Sequence, residues 1–245
     1  MTPISTHREV ERKLRVHAVF EMPDLVAEGV ASAVETAEPF TMLAVYHDTD
    51  ELTLFRWGIT LRRREGGADE GWHMKLPVAG SDGSARDEMH VPLDAGAVGS
   101  VPGAFVEVIA PLLREQALGA VVTLSTRRTP TLLLDGEGRA RAEVVDDVVS
   151  VVRDGQVVSA FREVEIEALD SGDDVAMSML EQASAVLLRA GAEPSSVSKA
   201  ASALGPRTSE PPDVPALPPP GPHGLAVDAI RAVLAQHVRL SLIHI

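Results

Sequence analysis

The segment FREVEIEALD (161–170) alternates without interruption. In an extended chain Glu163, Glu165 and Glu167 fall on one side and Val164, Ile166 and Ala168 on the other. A helix would scatter both sets around its axis, so this stretch reads as a strand. Its apolar row must pack on something, and the acidic row then faces either bulk water or an enclosed interior. The REVE tetrapeptide recurs at 8–11. There His7, Glu9, Glu11, Lys13 and Arg15 share one face, opposite Arg8, Val10, Arg12, Leu14 and Val16. A single charged strand face ordinarily lies in solvent. Repetition on nearly every strand argues for an interior: TLRRRE presents Arg62 and Arg64 together, HMKLP presents Lys75, and ARDEMHV presents Arg86 with Glu88. STRRT offers Arg127 or Arg128. RAEVVDDV offers Glu143 with Asp147 on one face or Asp146 on the other, and Asp147 is preferred because it shares a face with Glu143.

Candidate strands are 7–20, 40–48, 57–65, 71–78, 84–93, 119–134, 139–153 and 158–169, punctuated by Glu65-Gly66-Gly67, Asp82-Gly83, Asp135-Gly136 and Asp154-Gly155. Helical spacing marks 104–118, which Pro111 must bend or split, and 173–191, with acids at its start, Arg189 near its end and Gly191 as its stop. The class is α+β: about eight antiparallel strands in one domain, closed as a barrel or stacked as a sandwich, with helices outside.

Residues 205–224 hold eight of the 17 prolines and read as a semi-rigid extended linker. LAVDAIRAVLAQHVR (225–239) carries the helical stripe Leu225, Ile230, Val233, Leu234 and Val238, as if a second domain begins there. LSLIHI (240–245) leaves that pattern and matches one translation frame of a transposase mosaic-end adapter; it is read as a non-native tail.

Composition narrows the function. A net charge of −14 speaks against a nucleic-acid surface, and no apolar run approaches the ~20 residues of a membrane span. With no cysteine, thiolate metal sites and disulfides are excluded. A cytoplasmic protein is expected. Of 22 basic side chains only Lys13, Lys75 and Lys199 are lysines, so an ammonium in an arginine-rich chain suggests a need for a compact point charge. His7, His17, His47, His73 and His90 are scattered and read as surface or packing residues.

Glu9-x-Glu11-x-Lys13, YHDTD (46–50), LRRR (61–64), Lys75, Arg86-x-Glu88, Glu163-x-Glu165-x-Glu167 and SKAASAL (198–204) occur in that order. This set resembles the CYTH domain of the triphosphate tunnel metalloenzymes over residues 4–204. The linker and the helix after it resemble proteins in which CYTH precedes a helical CHAD domain, cut off here at its start. The resemblance implies an eight-stranded antiparallel barrel whose lumen is a charged tunnel. Ser125, two positions before Arg127, departs from the basic residue common there in the family.

The implied chemistry is metal-dependent hydrolysis of inorganic tripolyphosphate or another triphosphate. Oxygen-only ligands point to Mg²⁺ or Mn²⁺ on Glu9, Glu11, Glu143, Asp147, Glu163 and Glu165. Lys13, Arg62, Arg64, Lys75, Arg86, Arg127 and Lys199 are the expected phosphate ligands, and Glu165 and Lys13 the expected catalytic residues. The alternatives are a polyphosphate-binding module without turnover and an adenylate cyclase. Tyr46 and Asp48 are expected to serve structure. The residues leave the oligomeric state open.

Overall fold

The computed structural model of the chain describes residues 5–78, 85–95, 100–214, 217, 221 and 225–243. Its ten strands are β1 (Ser5–Val16), β2 (Ala33–Thr36), β3 (Phe40–Asp48), β4 (Thr60–Glu65), β5 (Gly71–Pro77), β6 (Ala85–Val91), β7 (Gly119–Leu134), β8 (Ala140–Arg153), β9 (Gln156–Ala168) and β10 (Glu193–Pro194). The helices are α1 (Thr53–Arg56), α2 (Gly103–Leu113), α3 (Asp174–Arg189), α4 (Lys199–Leu204) and α5 (Ala226–Ile243). All strands join one antiparallel sheet in the order β10-β1-β6-β5-β4-β3-β7-β8-β9, with β2 on β7.

The expected closed eight-stranded barrel needs two corrections. The sheet has ten strands, because β2 and β10 add short edges. It also does not seal into one continuous ladder. Ser5–Val10 of β1 pair with β6, whereas Glu11–Val16 pair with β9. No residue of β1 bridges both neighbours at once, so the two ends of the row meet at β1 in a stagger.

Apolar strand faces turn outward, under helices, and this is what turns the charged faces inward. Leu14, Val16, Ala142, Val144, Val164 and Ile166 pack with Ala176, Leu180, Ala183 and Leu187 of α3. Asp173 starts that helix by accepting the Val175 N–H at 2.9 Å. On the other side Leu61, Trp72 and Met74 meet Phe105, Ile109 and Leu112 of α2. That helix stops at Leu113 rather than 118; Pro111 lies inside it, near its end. Ala44, Tyr46, Leu124, Val149 and Val151 form a third cluster with Leu52, Phe55 and Ala200.

Residues 57–59 are not strand. The Asp48 carboxylate accepts the N–H groups of Thr49, Leu54 and Phe55 at 2.7, 2.8 and 2.9 Å, folding α1 directly after β3. Gly58, at φ 75°, ends the turn in a conformation that favours glycine. The expected linker is partly ordered as well. Pro206–Ser209 form a 3₁₀ turn, the Pro211 carbonyl accepts Arg56 Nε at 2.8 Å, and Asp213 accepts Trp57 Nε1 at 3.0 Å. Residues 215–216, 218–220 and 222–224 of that linker lie outside the described residues. Helix α5 runs to Ile243, past the Arg239 where its sequence stripe ends. Among the described residues no helix is long and apolar enough to cross a membrane.

Candidate active site

The inward charges line one cavity of about 640 Å³. Its walls include Glu11, Lys13, Tyr46, Arg62, Arg64, Asp69, Lys75, Arg86, Glu88, Arg128, Glu143, Glu165, Glu167 and Lys199. Six of the seven expected phosphate ligands therefore meet. Arg127 does not. It is exposed, facing outward in register with Val148, while Arg128 stands opposite Asp147 on the inner face. On β7 it is Arg128 that lines the cavity.

The acidic side is built in rows across β1, β9 and β8. Glu11 is opposite Glu167, which is opposite Glu143. Two residues along, Lys13 faces Glu165; two further along, Glu163 faces Asp147 and Asp147 faces Arg128. Lys199 enters this lattice from the first turn of α4, which Ser198 caps by accepting the Ala201 N–H. Its ammonium lies 2.6 Å from Glu163, 2.7 Å from Glu165 and 3.0 Å from Asp147. Lys13 lies 3.0 Å from Glu165 and 3.6 Å from Glu11, and Arg128 Nη2 donates to Glu165 Oε2 at 3.1 Å.

Burial raises the cost of ionising Glu165, yet Lys199, Lys13 and Arg128 outweigh it and hold the carboxyl well below the usual range. Both lysines are correspondingly held above theirs, although burial works the other way. Glu163 is pushed up by burial and by Glu165, against Lys199. Glu167 is pushed up to about 7 by burial, with Glu11, Glu165 and Glu143 adding repulsion and Lys75 opposing. Burial raises Glu143 too, against Arg128 and with Asp69 and Asp147.

This bears on the metal. Among the described residues no three acidic or histidine side chains are drawn into a ready-made cage. Glu163 and Asp147 of the expected set are tied up by Lys199 and Arg128. Glu9 stands on β1 opposite Arg86, but its side chain lies outside the described residues. The row Glu11–Glu167–Glu143 fits a hard divalent cation by its chemistry: oxygen-only donors on adjacent strands, two of them, Glu167 and Glu143, held above the ordinary carboxyl range by burial and by neighbouring carboxylates. Glu167 was visible as the third acid of the 163–167 alternation but was left out of the expected metal set.

Opposite lies the basic wall. Arg64 is buried, and burial together with Arg62 lowers it to about 10, against the pull of Asp69. It pairs with the Asp69 carboxylate, and its Nε has no hydrogen-bond partner among the described residues. Arg62 Nη1 donates to Tyr46 Oη at 3.4 Å, and Arg86 Nη1 donates to the Gly58 carbonyl at 2.9 Å. Glu88 holds the centre of the wall, 3.7 Å from Lys75 and 3.9 Å from Arg62, and bonds His73 at 2.7 Å. Asp146 faces outward, where Arg162 grips it through Nε and Nη2 at 2.8 and 2.7 Å. The preference for Asp147 agrees with its inward, buried position.

The CYTH domain family model matches residues 7–201. The uncharacterized proteins Rv2226 and MT2285 of Mycobacterium tuberculosis strains H37Rv and CDC 1551 are each 36% identical over 250 residues, covering 96% of this chain. The chain spans about half the length, 46%, of these curated relatives. Among solved structures, a proposed adenylate cyclase from Bacillus halodurans is 19% identical at TM-score 0.48, covering 75% of this chain and 88% of its own. The PH1819 protein of Pyrococcus horikoshii is 16% identical at TM-score 0.40, with coverage of 76% and 89%.

Proposed function

The chain belongs to the CYTH domain family, and from that premise we propose that it is a metal-dependent triphosphatase acting on inorganic tripolyphosphate or another organic or nucleoside triphosphate. One observation carries the reading: cationic and carboxylate side chains converge on one cavity instead of being spread over the outer surface. A chain of phosphates needs many positive contacts along its length, and phosphoryl transfer asks mainly for positioning and charge neutralisation.

Arg62 and Arg64 offer planar forks to phosphate oxygens, while Lys13, Lys75, Lys199 and Arg128, whose Nε–Nη2 edge already grips Asp147, offer point charges. Arg64 Nε, without a hydrogen-bond partner among the described residues, is a donor that such an anion would satisfy. Family membership implies a divalent cation, with Mg²⁺ or Mn²⁺ the proposal here, and Glu11, Glu143 and Glu167 would hold it. When bound, it supplies neutralisation and polarisation of phosphate oxygens. Glu165, flanked by three cations, is too weak a base to take up a proton. It remains an acceptor that orients a water molecule and fixes Lys13.

A binding module without turnover is the second reading, favoured by the saturation of Glu165, Glu163 and Asp147 with protein cations. Phosphate release from tripolyphosphate with Mg²⁺ or Mn²⁺, for the wild type and Lys13→Ala, separates the two. Release that depends on both metal and Lys13 is expected. Tight binding without release supports the module, cyclic AMP and pyrophosphate from ATP support a cyclase, and no binding of any triphosphate sinks all three.

A further inference from the structure

Both ring nitrogens of buried His73 face oxygen atoms. Nε2 lies 2.9 Å from the Asp69 carbonyl and Nδ1 lies 2.7 Å from Glu88 Oε1. A carbonyl can only accept, so Nε2 carries a proton. A neutral imidazole protonated there has a bare lone pair at Nδ1, and an ionised carboxylate presents another. Two lone pairs do not rest 2.7 Å apart, so a second proton lies between them.

We propose that His73 and Glu88 hold one shared, buried proton, and that this proton sets the charge of the wall that grips phosphate. The second half rests on the triphosphate reading above; the first does not. With the proton, the pair is neutral overall. Without it, the pair carries a net negative charge beside Lys75 and Arg62, 3.7 and 3.9 Å from Glu88. That charge draws both cations onto Glu88 and repels an incoming phosphate. His73 is a positioning residue: it acts on Arg62 and Lys75 through Glu88.

The groups around the pair come from four elements. Arg62 and Arg64 face it from β4 and Asp69 from the turn that follows, Lys75 lies on the same strand as His73, and the His90 ring of β6 is 4.7 Å from that of His73. Glu88 stands in register with His7 of β1. Burial above all, with Arg62 and Arg64, holds the imidazole below its ordinary range, against the support of Glu88, so the proton between ring and carboxyl rests on the two short contacts and not on a basic imidazole.

Side-chain ¹⁵N and carboxyl ¹³C NMR between pH 5.5 and 9 tests the proton directly, with His73→Gln and Glu88→Gln identifying the signals. One proton beyond Nε2–H is expected on the pair at pH 7, and the ring and the carboxyl titrate together. A singly protonated His73 beside an ionised Glu88 at pH 7 overturns the proposal. Calorimetric titration with tripolyphosphate tests the coupling. The ligand itself gains charge as pH rises, so the readout is the wild type relative to His73→Gln, whose amide cannot take up a proton. Wild-type affinity is expected to fall about tenfold relative to that variant across the pair's titration. Parallel profiles overturn the coupling. If tripolyphosphate binds at no pH, the triphosphatase reading fails, and the NMR result alone decides the shared proton.

Discussion

Arg128 grips Asp147 with two parallel bonds, Nε to Oδ1 at 2.9 Å and Nη2 to Oδ2 at 2.6 Å, across the β7–β8 pair on its inner face. Its neighbour Arg127 points the opposite way, into solvent. One step along a strand reverses the side of the sheet, so adjacent arginines should differ sharply in effect. Arg128→Ala is expected to weaken tripolyphosphate binding by about ten- to a hundredfold, the loss of one charge-assisted contact. Arg127→Ala should leave it unchanged. Calorimetric titration of the two variants checks this, and equal effects would remove the inward assignment of Arg128.

Lys199 reaches three carboxylates from a helix of six residues. Removing a buried partner strands the charges it balanced, which costs about 3–5 kcal/mol. Lys199→Met keeps the apolar stem and loses only the ammonium, and should still be destabilised by that amount at pH 7 in urea titrations. The loss should shrink as the pH falls. Glu165 is held below its ordinary range, so its contribution is present above the unfolded pKa and is lost as pH drops through the folded one. A variant as stable as the wild type at pH 7 would show that Lys199 contributes nothing to the fold.

How far this arrangement was legible follows from period and register. Alternation alone separated Glu163, Glu165 and Glu167 from Val164 and Ile166, and apolar outer faces implied a charged interior. Choosing Arg128 required carrying parity across the β7–β8 hairpin. Once Asp147 is inward, the residue opposite it on β7 must be inward too, but the Asp135-Gly136 turn left that register ambiguous by one. The short strands β2 and β10 carry too few residues to show a period. The end of the α1 turn, residues 57–59, hid inside the expected strand 57–65 because the acceptor that folds the turn, Asp48, acts six and seven residues ahead, on Leu54 and Phe55. His73 read as packing because its partners, Asp69 and Glu88, are defined only by the fold.

Asp48 is fully buried and accepts three backbone N–H groups. Burial raises its pKa, and those three bonds pull the other way. Asp48→Ala leaves the donors without acceptors and is expected to cost about 2–4 kcal/mol. Asp48→Asn, retaining one oxygen, should cost less. Thermal and urea unfolding of both variants orders them; an alanine variant no less stable than the asparagine one would mean that the carboxylate does not organise α1.

Glu167 supplies a pH signature of the opposite sign. Its folded pKa of about 7 lies above the ordinary carboxyl value, because burial and the neighbouring Glu11, Glu165 and Glu143 penalise the ionised form. The native state then binds more protons than the unfolded chain between about pH 4.5 and 7. The stability this group contributes is complete below its unfolded pKa and is lost as the pH rises through 7. Glu167→Gln cannot ionise, so it should match the wild type near pH 4.5 in a chelator-containing buffer and exceed it in melting temperature near pH 8. Adding Mg²⁺ or Mn²⁺ at pH 8 should stabilise the wild type more than the variant, because a cation on Glu11, Glu143 and Glu167 relieves the same repulsion. Melting curves at the two pH values, with and without metal, check both steps. If the wild type gains no more from metal than Glu167→Gln, this carboxylate row does not hold the cation.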